Sequence, residues 1–251
     1  MGCSLTEGVG CYDYSINTEN TIYWNLPKSK YLVTKIRFHK LGWPNRVGKK
    51  LGYDKVINLG SGGSSNSAHL KLFVDKILPE IDTLRSEYDI NIIWMMTEPS
   101  RFSFYTDERI MYYSPSNTSP SGNSFAAQYI KEMPELEIGP LREQIFLMRT
   151  AEQMFKNLRV NFLFTSWVSS FIKLYKFVKT PHFLSPSPYY INLPYSKKNI
   201  SKICGHPNES GYEIIANEIV NKIKEFHPHL DTGLSRDRIE WIWKGHRDYT
   251  M

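Results

Sequence analysis

From Leu70 onward apolar side chains recur at helical spacing, at Leu70, Phe73, Ile77, Leu78, Ile81 and Leu84. That period predicts a long amphipathic helix starting near His69. The run "INIIWMM" at 90–96 is apolar without alternation and has strand length, which predicts a strand buried on both faces of a sheet. Both signatures recur downstream. Leu141, Ile145, Met148, Ala151, Phe155 and Leu158 mark a second helix, "VNFLFTSW" a further strand, and Ile215, Ile219, Ile223 and Phe226 the apolar face of a last helix from about Glu209 to Phe226. Upstream, residues 55–59 read as a short strand that ends in the flexible turn "GSGGSSN".

Strands alternating with helices predict an α/β fold, a mainly parallel central sheet with helices on both faces in a three-layer α/β/α sandwich. Ligands in such folds bind beyond the carboxyl ends of the strands. The turn "GSGGSSN", the stretch "TEPSR" at 97–101 and the loops after "FLFTSW" would gather there. Residues 12–54 mix Tyr, Trp, Asn and Lys without clean period, and read as an irregular segment ending in a short helix near Trp43 to Leu51. Residues 99–125 read as a long loop able to cover a site. The chain of 251 residues suits a single domain with insertions near 12–54 and 99–135.

Composition narrows the function classes. With 41% hydrophobic and 14% aromatic residues the chain is globular, and no apolar run approaches the roughly 18 residues of a membrane span. No basic leader with an apolar core precedes position 20, so cytosolic synthesis is the default expectation. Cys3, Cys11 and Cys204 are odd in number and form no CxxC pair, which argues against a disulfide framework or a zinc site; neither metal nor cofactor is expected. The net charge of +6 comes from dispersed lysines, with short clusters such as Lys49-Lys50 and Lys197-Lys198, so a nucleic-acid partner is disfavoured. Nothing in the sequence fixes the oligomeric state.

Two stretches carry candidate chemistry. The opening "MGCSLTEGVG" matches the N-myristoylation pattern, with Cys3 placed for a second acyl chain, and also reads as a small-residue turn presenting a hydroxyl nucleophile. Near the other end, "CGHPNESGYEIIANEI" at 204–219 places His-Pro-Asn ahead of a helix, where Asn208 or Ser210 would cap the first turn. Taken together, Gly2-Cys3-Ser4-Leu5-Thr6, "NLGSGGSS" at 58–65 and "GHPNESG" at 205–211 resemble the ordered blocks of the SGNH (GDSL) hydrolase family. The first block has the GCSxT form, which resembles phage and bacterial members. The resemblance spans nearly the whole chain, whereas acylation accounts for six residues, and the nucleophile reading is preferred.

The resemblance implies roles residue by residue. Ser4 would be the nucleophile and His206 the general base, since a serine hydroxyl attacks a carbonyl only when an imidazole within reach accepts its proton. The N–H groups of Ser4 and Gly63 would form the oxyanion hole. The implied activity is that of a serine ester hydrolase on esters of small acids, lipids or acetylated sugars, with a carbohydrate O-acetyl group as first candidate and a small-molecule or carbohydrate ester as partner. Three departures stand out. The third block, which supplies an Asn in the family, reads "WMMTEPSR", leaving Thr97, Ser100 or Arg101 as substitute donors. Ile203 and Cys204 occupy the positions of the family's acid, which implies a Ser-His dyad or an atypical triad using Glu98 or Asp107. Only Met1 precedes Gly2, so the family's first strand is encoded upstream, filled by another segment, or missing beside a loosely held turn. These departures favour, as the alternative, a non-catalytic binding or virion-associated structural protein that keeps the hydrolase fold. The aromatic stretches Phe102 to Tyr113 and Tyr189 to Tyr195 would present flat faces to sugars or pack internally, and the tail "RDRIEWIWKGHRDYTM" would dock on the body or a partner.

Overall fold

The structure, a computed structural model, describes residues 1–9, 38–105, 110–113, 139–168, 171, 180, 182–184, 191, 196–201 and 205–226. In chain order these form α1 (Ser4–Glu7), α2 (Trp43–Lys50), α3 (Asn66–Lys76), α4 (Ile81–Glu87), β1 (Asn91–Met96), β2 (Phe102–Tyr105), β3 (Ile110–Tyr113), α5 (Gly139–Asn157), β4 (Asn161–Ser166) and α6 (Glu209–Phe226). Short 3-10 turns lie at Leu78–Glu80 and Lys197–Asn199. Together the elements make a mixed α/β fold around a small parallel sheet.

The sheet is built on the two continuous apolar runs. Strands β1 and β4 pair in parallel, from Asn91 opposite Asn161 to Met96 opposite Ser166, and every residue of both is buried. Isolated bridges extend the sheet on either side. The amino nitrogen of Met1 donates to Ile93 O at 2.9 Å and Met95 N–H to Met1 O at 3.1 Å. Gly2 bridges Gly60 in parallel, and Ser61 N–H donates to Gly2 O at 3.0 Å. Beyond β4, Phe183 bridges Phe164 in parallel. The lateral order is therefore Gly60, 1–2, β1, β4, 182–184. Chain order and lateral order part company at residues 1–2, which lie centrally, with Gly60 on one side and β1 on the other.

Alternation along β1 and β4 divides the core. Ile93, Met95 and Leu163 meet Cys3, Leu5 and Val9, Val47 of α2, and Ile215 and Ile219 of α6. Ile92, Trp94, Met96, Phe162 and Phe164 meet Phe73 of α3 and Met148 and Phe155 of α5. Helices α2 and α6 are also joined by ion pairs: Arg46 to Glu213 at 2.7 Å and Glu209 at 3.1 Å, and Lys50 to Glu213 at 2.6 Å.

Several expectations change. The helix expected from His69 to Leu84 is broken, because Pro79 has no N–H to donate and its ring clashes with the carbonyl four residues back; α3 stops at Lys76 and α4 starts at Ile81. The long loop expected at 99–125 begins with an antiparallel pair, β2 with β3, whose Phe, Tyr and Ile residues suit a pleated surface. Residues 55–59 form no ladder, and only Gly60 bridges. The short helix near Trp43 is present as α2, and α6 has the expected ends. Among the described residues no helix is long and apolar enough to cross a membrane. Residues 12–37 and 114–138, Cys11, Asp107, Ile203, Cys204, Tyr189, Tyr195 and the tail lie outside the described residues.

Candidate active site

Ser4 opens α1 two residues after the Gly2 bridge, at the carboxyl end of the central extended run. Thr6 and Glu7 N–H both donate to Cys3 O at 2.9 Å, which closes this one-turn helix. Two glycines let it pack so tightly. A Cβ on Gly2 would stand 1.8 Å from Thr6 Oγ1, and one on Gly60 would stand 2.1 Å from Glu7 N. Gly2, the residue that the acylation pattern marks, is buried within the sheet.

The second block is tied to the first by side chains. Asn58 donates through Nδ2 to Thr6 O at 2.7 Å and accepts Gly60 N–H on Oδ1 at 2.8 Å. Glu7 is buried, and its Oε2 accepts Gly62 N–H at 2.6 Å. Gly63 follows with φ of 74°, a left-handed conformation that favours glycine. Its N–H makes no hydrogen bond among the described residues. The structure thus brings the Ser4 turn and the Gly63 turn side by side.

His206 sits half-buried within the turn that the Ile200–Pro207 bridge closes, ahead of α6, and its carbonyl accepts Ser201 N–H at 2.8 Å. Asn208 caps α6, its Oδ1 accepting Gly211 N–H at 3.1 Å, in line with the capping expectation. Six residues beyond His206, Tyr212 Oη donates to Val9 O at 2.8 Å. That bond fastens the first turn of α6 to the segment that follows α1.

A different Ser-His pair lies beneath the second block. Ser64 Oγ is 2.5 Å from His69 Nε2, and Trp94 Nε1 donates to His69 Nδ1 at 3.1 Å. An indole N–H only donates, so Nδ1 is the acceptor and the ring proton of neutral His69 sits on Nε2. His69 therefore donates to Ser64, whose own hydroxyl donates to Ser61 O at 2.6 Å. Burial holds the His69 pKa well below the ordinary imidazole value, and the Met1 amino group and Arg101 act in the same direction. This pair is oriented for structure, because a base must accept the serine proton. Sequence reading missed it: a histidine on an apolar helix face carries no local sign of its partners.

Asn66 is the second residue missed. Its Oδ1 accepts Thr97 N–H at 2.8 Å, while Nδ2 donates to Thr97 O at 3.0 Å and to Gln144 Oε1 at 2.8 Å. The carboxamide is fully spent pinning the end of β1, so it does not replace the third-block Asn as an oxyanion donor. Of the substitutes, Thr97 is buried and its Oγ1 has no hydrogen-bond partner among the described residues. Arg101 Nε donates to Glu98 Oε2 at 2.7 Å, which spends Glu98 there.

No protein-family model, curated protein or solved structure matches the chain.

Proposed function

We propose that the chain is a serine ester hydrolase of SGNH type, a three-layer α/β/α sandwich in which Ser4 is the nucleophile and His206 the general base. The observation that carries this reading is the placement of residues 1–2 between Gly60 and β1. The connection from residues 1–2 runs to Gly60 on one side while that from β1 runs to β4 on the other, and ligands bind at such reversal points in open α/β sheets. Ser4 closely follows residues 1–2, and the Gly63 N–H, without a hydrogen bond among the described residues, stands in the neighbouring turn. In the proposed cycle His206 takes the Ser4 proton as the hydroxyl attacks an acyl carbonyl, and the N–H groups of Ser4 and Gly63 receive the developing negative charge. Water then releases the acyl group, with a carbohydrate O-acetyl ester as the preferred substrate.

A second reading is favoured by the spent carboxamide of Asn66: the fold serves binding or a structural, virion-associated role without turnover. Hydrolysis of p-nitrophenyl acetate separates the two. The esterase reading expects activity that Ser4→Ala and His206→Ala each reduce by at least about 1,000-fold, as for nucleophile and base variants of serine hydrolases. Absent activity in the wild type, or activity unchanged in both variants, favours the binding role.

A further inference from the structure

We propose that Arg101 forms a subsite for the carboxylate of an acidic sugar at the carboxyl edge of the sheet. The subsite rests on the geometry around Arg101, and its part in turnover rests on the esterase reading above. Only 12% of the Arg101 side chain is exposed. Its Nε donates to Glu98 Oε2 at 2.7 Å, its backbone N–H to Glu98 O at 3.1 Å, and its guanidinium carbon lies 5.7 Å from the ring centroid of Trp167. Those contacts use one of five guanidinium N–H donors and one flat face. Nη1 and Nη2 have no hydrogen-bond partner among the described residues.

A guanidinium held at Nε and set over an indole at cation–π distance is ordered before any ligand arrives, which reduces the entropy lost on binding. The edge left open carries two parallel N–H donors, the fork that a carboxylate accepts in bidentate fashion. Glu98 offsets the charge, so selectivity comes from the fork more than from the net field. Two further donors lie unspent in the same neighbourhood, Trp167 Nε1 and Thr97 Oγ1, both buried and without hydrogen-bond partners among the described residues. Thr97 and Trp167 directly follow the paired residues Met96 and Ser166, so they leave adjacent strands at the same end. Residues 1–2 flank the other side of β1, which puts the Ser4 turn at that end as well. The substrate class that fits is an O-acylated sugar carrying a carboxylate, a uronic acid type of residue.

The test is calorimetric titration of the full chain with D-galacturonate and with D-galactose, which differ at the carboxylate, with circular dichroism of every variant. Galacturonate should bind saturably, and at least about tenfold more tightly than galactose, because each charge-assisted hydrogen bond is worth roughly that much. Arg101→Gln and Arg101→Lys should each weaken it by at least about tenfold, since lysine keeps the charge and loses the fork. Trp167→Phe keeps an aromatic platform without the Nε1–H and should weaken binding less; it carries the test if the Arg101 variants fail to fold. Equal affinity for the two sugars, no saturable galacturonate binding, or unchanged binding in the folded variants overturns the subsite. Ser4→Ala should bind galacturonate as the wild type does. Galacturonate binding alongside ester hydrolysis that ignores Ser4→Ala would sink the esterase reading and leave the subsite standing.

Discussion

At Gly60 a Cβ would stand 2.1 Å from Glu7 N and 2.5 Å from the Thr6 carbonyl carbon, backbone atoms that cannot swing aside. Gly60→Ala should therefore lower stability in urea by about 2 kcal/mol or more, the range of an overpacked core. Gly205 has φ of 69° and open space where a Cβ would stand, so Gly205→Ala should cost only the backbone strain, about 1 kcal/mol. A smaller loss at Gly60 than at Gly205 would contradict the packing. His69 makes a pH prediction. Its folded pKa is depressed, so below the unfolded value of 6.5 the unfolded chain binds more protons and stability falls as pH drops. Between pH 6.5 and 5 the wild type should lose up to about 1.4 kcal/mol per pH unit through this group, and His69→Gln should flatten that slope. An unchanged slope would mean that His69 is charged in the fold. At this scale the glycine-rich blocks made the close-packed turns around Gly2 and Gly60 legible in the sequence. The pairing of Asn66 with Thr97 was not, because partners 31 residues apart leave no local pattern.

Strands β1 and β4 were legible because a sheet buried on both faces needs unbroken apolar runs, and α5 and α6 because burial on one face imposes a helical period. The broken helix shows the weakness of period alone. Apolar spacing continues across Pro79 from Ile77 to Ile81, since both helices bury residues on the same face, yet the backbone cannot continue. The β2–β3 pair was hidden because four-residue strands are too short for alternation to stand out. The α2–α6 interface allows a further prediction. Hydrogen bonds from Lys50 and then Arg46 hold the Glu213 pKa below its usual value of 4.5. Its stabilisation is therefore present above that value and lost as pH falls through the lower folded pKa. The side chain is more than a third exposed, so Glu213→Gln should cost less than about 1 kcal/mol at pH 7 and nothing measurable in high salt. A larger, salt-independent loss in chemical denaturation would contradict a solvent-screened pair.

Across the whole molecule both core clusters share β1 and β4, one on each face, so neither face can be lost without exposing the sheet. Thermal unfolding should show one transition, with far-UV circular dichroism and tryptophan fluorescence superimposing; separate midpoints would indicate independently folding parts. The lateral order Gly60, 1–2, β1, β4, 182–184 was not legible, because residues 1–2 are too short to read as a strand and 55–59 form no ladder of their own. It is this order that sets the Ser4 turn at the reversal point, and the central claim is that Ser4 is a nucleophile there. The most direct measurement is labelling of the folded chain with a fluorophosphonate, followed by mass mapping of the modified peptide. The account predicts a single adduct on Ser4 that vanishes on heat denaturation and in His206→Ala. No adduct, or an adduct on another serine that persists in Ser4→Ala, would contradict it.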